Sequence, residues 1–408
     1  MLNKDILPNG IRVVTETVPH VQSISIGLWV DSGACDESEA TRGISHFMEH
    51  MLFKGTENRT AKQIAQEFDS IGGQVNAFTE KESTCFYAKV LSEYLPVAVD
   101  VLSDMFLNSK LDEKEIELEK NVVLEEIKMH EDTPEDVVHD LYAATVWHKH
   151  PLGLAVLGDR NVVGGLKADD LRDFVRRRYT PDNLVVSAAG NLSHKDVVEK
   201  IEAVFGQMTG SKIECERTIP QFTPESLFAK KSTEQVQFCI GTPGYGHLDE
   251  NRYTLAVVDT ALGGGMSSRL FQEIRENRGL AYSIGSYSSS YRAGGLFTVF
   301  GGTSLETMEK VIDLIVAEFK SVRDENLTDE EMNRAKNQIR GGLILGQEGM
   351  SSRMIRLGRT ELYYGRLMPL EELISHVVRV TREDVARVAE FLFNGPSFPT
   401  VAVGPFKA

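Results

Sequence analysis

The chain has 408 residues, 41% of them apolar and 25% charged, an ordinary globular mixture with length enough for two or three domains. Its formal net charge of −16 argues against a nucleic-acid partner, because holding phosphates takes clustered Lys and Arg. The same charge favours basic ligands or serves only solubility, and no apolar run is long enough to span a membrane.

The first residues, "MLNKDILPNGIRVVTETV", hold no apolar core of signal-peptide length and lead through a turn into strand patterns at 11–18 and 21–30. Next comes "HFMEH", residues 46–50. A helix turns about 100° per residue, so His46 and His50 lie one above the other, with Glu49 on the edge of the same arc. Two neutral imidazoles stacked in this way can grip one metal ion and leave a carboxylate beside it. A helical pattern at 60–71 precedes "GGQVNAFTEKESTCFYAKV", which alternates Val75, Ala77 and Thr79 on one face and turns through charged residues into a strand at 84–91. A strand ending beside a metal can take up a substrate peptide as one more strand, through backbone hydrogen bonds. Helical patterns follow at 93–107, 112–131 and 195–205, with a strand at 184–190. His148 and His150 in "WHKHPLG" lack a suitably placed carboxylate, so they predict no second metal site.

The second half echoes the first. "VQSISIG" at 21–27 resembles "VQFCIG" at 236–241, and "DNLVVSAAGNL" (182–192) resembles "FPTVAVGPF" (398–406). "LDEKEIELEKN" at 111 overlays "LTDEEMNRAKN" at 327, an offset of 216 that places Leu111, Glu115, Lys120 and Asn121 on Leu327, Glu331, Lys336 and Asn337. A duplicated chain is predicted, with its break in the proline-bearing polar stretch 207–232. The division is 1–210 for a metal-binding domain, 211–232 for a linker and 233–408 for a repeat domain. Runs of strands beside separate helical runs predict an α+β fold, each domain a largely antiparallel sheet packed with helices.

The offset carries His46, Glu49 and His50 onto "ALGGGMSS" at 261–268, which holds no imidazole or carboxylate. Packing alone would have required both copies to keep these residues, so the asymmetry points to function in the first half. A catalytic zinc takes three protein ligands and leaves one position open. Candidates for the third lie in "EKEIELEKNVVLEEIKMHED", among them Glu119, Glu125, Glu126 and His130. Glu119 and Glu126, two turns apart, share a face and map onto Ala335 and Gly342, so both carboxylates vanish together with the histidines. A merely solvated acidic face is the competing explanation. "GGGMSS" lacks the ending of a phosphate loop, which argues against nucleotide binding. The four cysteines, 35, 85, 215 and 239, form no CxxC pair and read as reduced thiols of a cytoplasmic protein.

HxxEH, followed 76 positions after His50 by Glu126 in "LEEI", resembles the inverzincins of the pitrilysin/insulinase family of zinc peptidases. The resemblance is greatest to the bacterial, mitochondrial-processing-peptidase-like branch. It covers nearly the whole chain through "LPNGIRVVTE", "GISHFMEHMLFKGT", "GGQVNAFTEKESTCFYAKV" and "RENRGLAYSI". By that resemblance His46, His50 and Glu126 hold one Zn²⁺ per chain, Glu119 supports them and Glu49 is the general base. Asn76 and Ala77 belong to the strand that pairs with substrate. Arg275 and Tyr282 stabilise the oxyanion, although Arg278 lies within a turn of Arg275. Single-chain relatives close four such domains as two bowls around a chamber. A two-domain chain is therefore expected to be half of that clamshell and to pair as a two-fold homodimer, with Arg275 and Tyr282 serving the other subunit's zinc.

The reading is a zinc metalloendopeptidase that hydrolyses flexible or unfolded peptides. The alternative from another class is a non-catalytic core or scaffold subunit of a processing-peptidase-like complex, against which the intact His46, Glu49, His50 and Glu126 speak. A third reading, a metal-dependent hydrolase of another bond, is disfavoured by the paired strand.

Overall fold

In the computed structural model, residues 1–213 and 217–407 are described; Cys215, with positions 214 and 216 near the start of the expected 211–232 linker, lies outside them. The helices and strands follow the sequence patterns closely. The 112–131 pattern forms the helix Glu113–Asp132, the 60–71 pattern forms Ala61–Ser70, and the 195–205 pattern forms His194–Phe205.

The first sheet contains β1 (Leu2–Ile6), β2 (Arg12–Thr17), β3 (Ser23–Val30), β4 (Gln74–Thr79), β5 (Thr84–Leu91) and β6 (Leu184–Gly190), in the order β1-β2-β6-β3-β5-β4. The second contains β7 (Leu227–Lys230), β8 (Val236–Gly244), β9 (Ala281–Ser290), β10 (Gly295–Thr303) and β11 (Thr400–Gly404), in the order β7-β11-β8-β10-β9. Without β1 the two orders are the same. In each sheet the first and last strands pair in parallel, β2 with β6 and β7 with β11, and the remaining pairs are antiparallel. The sheets are thus mixed but mostly antiparallel, and the duplication read from sequence echoes is present in the topology.

Alternation along β3 explains how a sheet can be covered on both faces. Ile24, Ile26, Leu28 and Val30 enter one core with Phe47, Met48 and Met51 of the helix Ile44–Leu52. The odd positions face the helix Met350–Tyr364. There Ser25 Oγ lies 3.0 Å from Ser351 Oγ, and Trp29 packs with Met354 and Leu357. Small residues let this helix approach: a Cβ on Gly27 would sit 2.5 Å from Met354 Sδ, and one on Gly358 would sit 2.2 Å from Trp29 Nε1. Burying a Leu or Met side chain there is worth about 1.5–3 kcal/mol. β8 repeats the scheme. Val236, Phe238 and Ile240 join the second core, while Cys239 and Gly241 face the helix Pro134–Val146 through His139 and Tyr142.

These contacts change the domain division. One compact unit comprises Met1–Lys128, Ala155–Glu216 and Gly346–Met368; the other comprises Met129–Leu154, Arg217–Leu345 and Pro369–Ala408. The contiguous division 1–210, 211–232, 233–408 does not describe this interleaving. The helices Pro134–Val146 and Met350–Tyr364 start 216 positions apart, at 134 and 350, so they are repeat counterparts, and each belongs to the unit built mainly from the other half. Apolar periodicity fixes the buried face of a helix; it does not say which sheet that face will cover.

Candidate metal centre

The helix Ile44–Leu52 buries Phe47, Met48 and Met51, which turns His46, Glu49 and His50 together toward the opposite edge. The His46 and His50 rings lie 4.7 Å apart between centroids, inclined at 68°. The helix Glu113–Asp132 buries Ile116, Val123 and Ile127, and this phase brings Glu119 and Glu126 to the histidines. Glu126 Oε2 is 3.4 Å from His50 Nε2 and 3.7 Å from His46 Nε2. Among the described residues, His46, His50 and Glu126 form the group able to hold a metal, with all three donor atoms within 4.8 Å of one another. Zinc–donor bonds of about 2.0–2.1 Å place tetrahedral ligand atoms about 3.3–3.4 Å apart, so two nitrogens and one oxygen at these separations fit a zinc ion.

The surrounding groups prepare the donors. Glu119, buried to 3% exposure, accepts a 2.8 Å hydrogen bond at Oε1 from His50 Nδ1 and meets Lys54 Nζ at Oε2. An ionised carboxylate only accepts, so the His50 proton sits on Nδ1 and the Nε2 lone pair is left free on the Glu126 side. Burial, aided by the neighbouring His50, lowers the His46 pKa to about 4, which keeps its ring neutral and able to donate electrons at neutral pH. Glu49 is held by Thr79 Oγ1, which donates to its Oε2 at 2.6 Å. Burial raises the Glu49 pKa, and Glu126 adds to this against the pull of Thr79 and His50.

Thr79 ends β4, which among the described residues pairs only with β5 and is the edge of its sheet. Asn76 on that edge is exposed, and its Oδ1 accepts the Ala77 N–H at 2.8 Å. Sequence reasoning grouped Thr79 with Val75 and Ala77 as one strand face without linking it to Glu49, and it did not single out Lys54. Strand alternation beyond Ala77 was the available signal for Thr79; Lys54, past the helix end, offered none.

In the other unit, Arg275 and Tyr282 come together where two elements depart from regularity. Arg275 sits in the wide, π-type turn Phe271–Glu276, and Tyr282 sits at the β9–β10 register shift between Gly302 and Thr303. Such irregularities re-aim side chains and recur at functional sites. The Arg275 guanidinium lies 4.7 Å from both the Tyr282 and Phe271 ring centroids, and Tyr282 is 78% exposed. They line a cavity of about 380 Å³ with Gln235, Thr303 and Ser304. Arg278 instead pairs with Glu273, so the arginine at Tyr282 is Arg275. His150 binds Thr218 O at 3.0 Å and is not gathered into any metal-binding group among the described residues. In the repeat, Ala335 is buried and a Cβ on Gly342 would meet nothing within 4 Å, so no steric demand explains the missing carboxylate at that second position.

The chain is 43% identical over 394 residues to an uncharacterized zinc protease of Bacillus subtilis, covering 97% of this chain and 96% of that one. An uncharacterized zinc protease of Streptomyces coelicolor is 42% identical, with 98% and 89% covered, and one of Rickettsia felis is 35% identical, with 98% and 96% covered. Two crystal structures share the fold. One is a peptidase M16 inactive domain from Pseudomonas fluorescens, with TM-score 0.93, 20% identity, and 100% of this chain and 98% of that one covered. The other is a protease from Helicobacter pylori, with TM-score 0.92, 21% identity and 99% of both covered. Residues 165–339, which contain none of His46, His50 and Glu126, match the peptidase M16 inactive domain, and residues 12–160, which contain every donor described above, match insulinase, peptidase family M16. The chain therefore belongs to the insulinase family of peptidases, family M16.

Proposed function

We propose that this protein is a zinc metalloendopeptidase acting on flexible or unfolded peptides, with His46, His50 and Glu126 as ligands and Glu49 as general base. The observation that carries the reading is the convergence of three metal donors with a separate, half-buried carboxylate beside an open strand edge. Zinc supplies Lewis acidity, polarising a carbonyl and acidifying a water to a pKa of about 7. Glu49 takes the water's proton on the oxygen that Thr79 leaves free and returns it to the leaving amine. β4 holds the peptide as an added strand, with Asn76 and Ala77 presenting backbone groups, so affinity does not depend on side-chain sequence.

Arg275, held between two rings, stabilises the developing oxyanion with Tyr282. By family resemblance this pair serves the zinc of the other subunit in a two-fold homodimer. Buried free thiols at Cys85 and Cys239 support a reducing, cytoplasmic setting, and no helix among the described residues is long and apolar enough to cross a membrane.

A quenched peptide library incubated with the zinc-loaded protein tests the reading. Cleavage that a chelator abolishes and zinc restores is expected. A zinc-loaded protein that cleaves nothing would favour the scaffold reading.

A further inference from the structure

The helix bearing His46 and His50 begins without a cap of its own. Its N-cap residue is Gly43, at φ +91°, with no side chain to receive the unpaired N–H groups of the first turn. A capping Ser, Thr or Asp cannot replace it. Any Cβ there would lie 2.8 Å from Val163 Cγ2, 2.9 Å from Leu157 O and 3.0 Å from Gly158 Cα. The carboxylate of Glu37, six residues upstream, fills the role. Its Oε2 accepts the Gly43 N–H at 2.7 Å and its Oε1 accepts the Ser45 N–H at 2.8 Å. The segment carrying Glu37 is itself tied down, with Gly33 N donating to Asp36 Oδ2 at 3.0 Å and Arg178 donating to Asp36 O at 2.9 Å.

We propose that Glu37 is a positioning residue for the metal centre: by clamping the first turn of Ile44–Leu52 at two points, it fixes the register in which His46 faces His50 and Glu126. The helix has only nine residues, and His46 is its third. Fraying of one uncapped turn would release that ligand, whereas His50 lies in the second turn and is also held by Glu119. Burial raises the Glu37 pKa to about 7 against the pull of the Gly43 and Ser45 N–H groups, and its ionised form further opposes the positive end of the helix. The proposal rests on the reading of His46 and His50 as zinc ligands.

The test is zinc affinity by chelator competition, at a temperature far below unfolding, for wild type, Glu37→Gln and Glu37→Ala. Glu39→Gln, on the neighbouring exposed turn, is the control. Glutamine keeps the volume and one acceptor, so the fold is retained while one of the two clamps is lost. Glu37→Gln should bind zinc about tenfold more weakly than wild type, with Glu37→Ala weaker still and Glu39→Gln unchanged. Activity at saturating zinc should fall in kcat with KM little altered. A cap that served folding alone would lower Tm and leave zinc affinity at wild-type strength in the folded variants; that result would overturn the proposal. If wild type itself bound no zinc, the assignment of the centre would fail instead, and the two failures are thereby separate.

Discussion

In the metal centre, His50 and Glu49 each depend on a neighbour that sets charge or direction. His50 is oriented by Glu119, and Glu119 is balanced by Lys54. Glu119→Gln should therefore weaken zinc binding about 10–100-fold while leaving one zinc bound at saturation. His46→Ala or Glu126→Ala removes a donor outright and should abolish tight binding, as metal analysis after dialysis would show. Away from the centre, Asp104 offers a pH test. Burial alone would raise its pKa, but hydrogen bonds from Thr56, Arg59, Asn108 and Asn58 together lower it to about 2, from 3.8. A depressed carboxylate contributes stability in full above the unfolded value, so about 2 kcal/mol should be lost as pH falls from about 4 to 2. Chemical unfolding across that range should show a smaller loss in Asp104→Asn. His46, Glu49, His50, Glu119 and Glu126 were legible in the sequence because helical spacing places them and their loss from the repeat sets them apart. Glu37, Lys54 and Thr79 were not, because each acts through a contact whose partner lies outside its own element. The choice between Arg275 and Arg278 needed the Glu273 pairing, which spacing does not reveal.

At the scale of elements, the long helices and most strands were readable from periodicity, and the sequence echoes agree with a shared strand order. The exchange of Pro134–Val146 and Met350–Tyr364 between the two units was hidden, since an apolar stripe fits either sheet equally well. What selects the partner is local fit: Gly27 and Gly358 make room for Met354 and Trp29. Trp29 Nε1 donates to Ser187 Oγ at 2.9 Å, and Ser187 Oγ donates to Met354 O at 2.9 Å, so the helix is fastened by polar links as well. Gly358→Ala should force Trp29 aside and cost about 1–3 kcal/mol, measured by urea unfolding. An equal stability would show that the helix shifts freely on its sheet. β4 owes its proposed role to being an edge, a position that pairing order decides and that alternation in "QVNAFT" only hints at.

For the whole molecule, a repeat in which the positions matching His46, Glu49, His50, Glu119 and Glu126 hold no imidazole or carboxylate predicts a single zinc per chain. Metal analysis finding two tightly bound ions would reveal a second site. The proposed homodimer is tested by mixing Glu49→Gln with Tyr282→Phe. After subunit exchange about half the dimers are mixed, each with one intact composite site, so roughly a quarter of wild-type activity should return. No recovery after confirmed exchange would place both functions within one chain. The most direct measurement of the central claim is parallel metal analysis and single-turnover peptide cleavage on wild type and Glu49→Gln. The account predicts one zinc in each protein and a rate about 10²–10⁴-fold lower in Glu49→Gln, because the base is gone and the ligands remain. Zinc-loaded Glu49→Gln cleaving at the wild-type rate would contradict it.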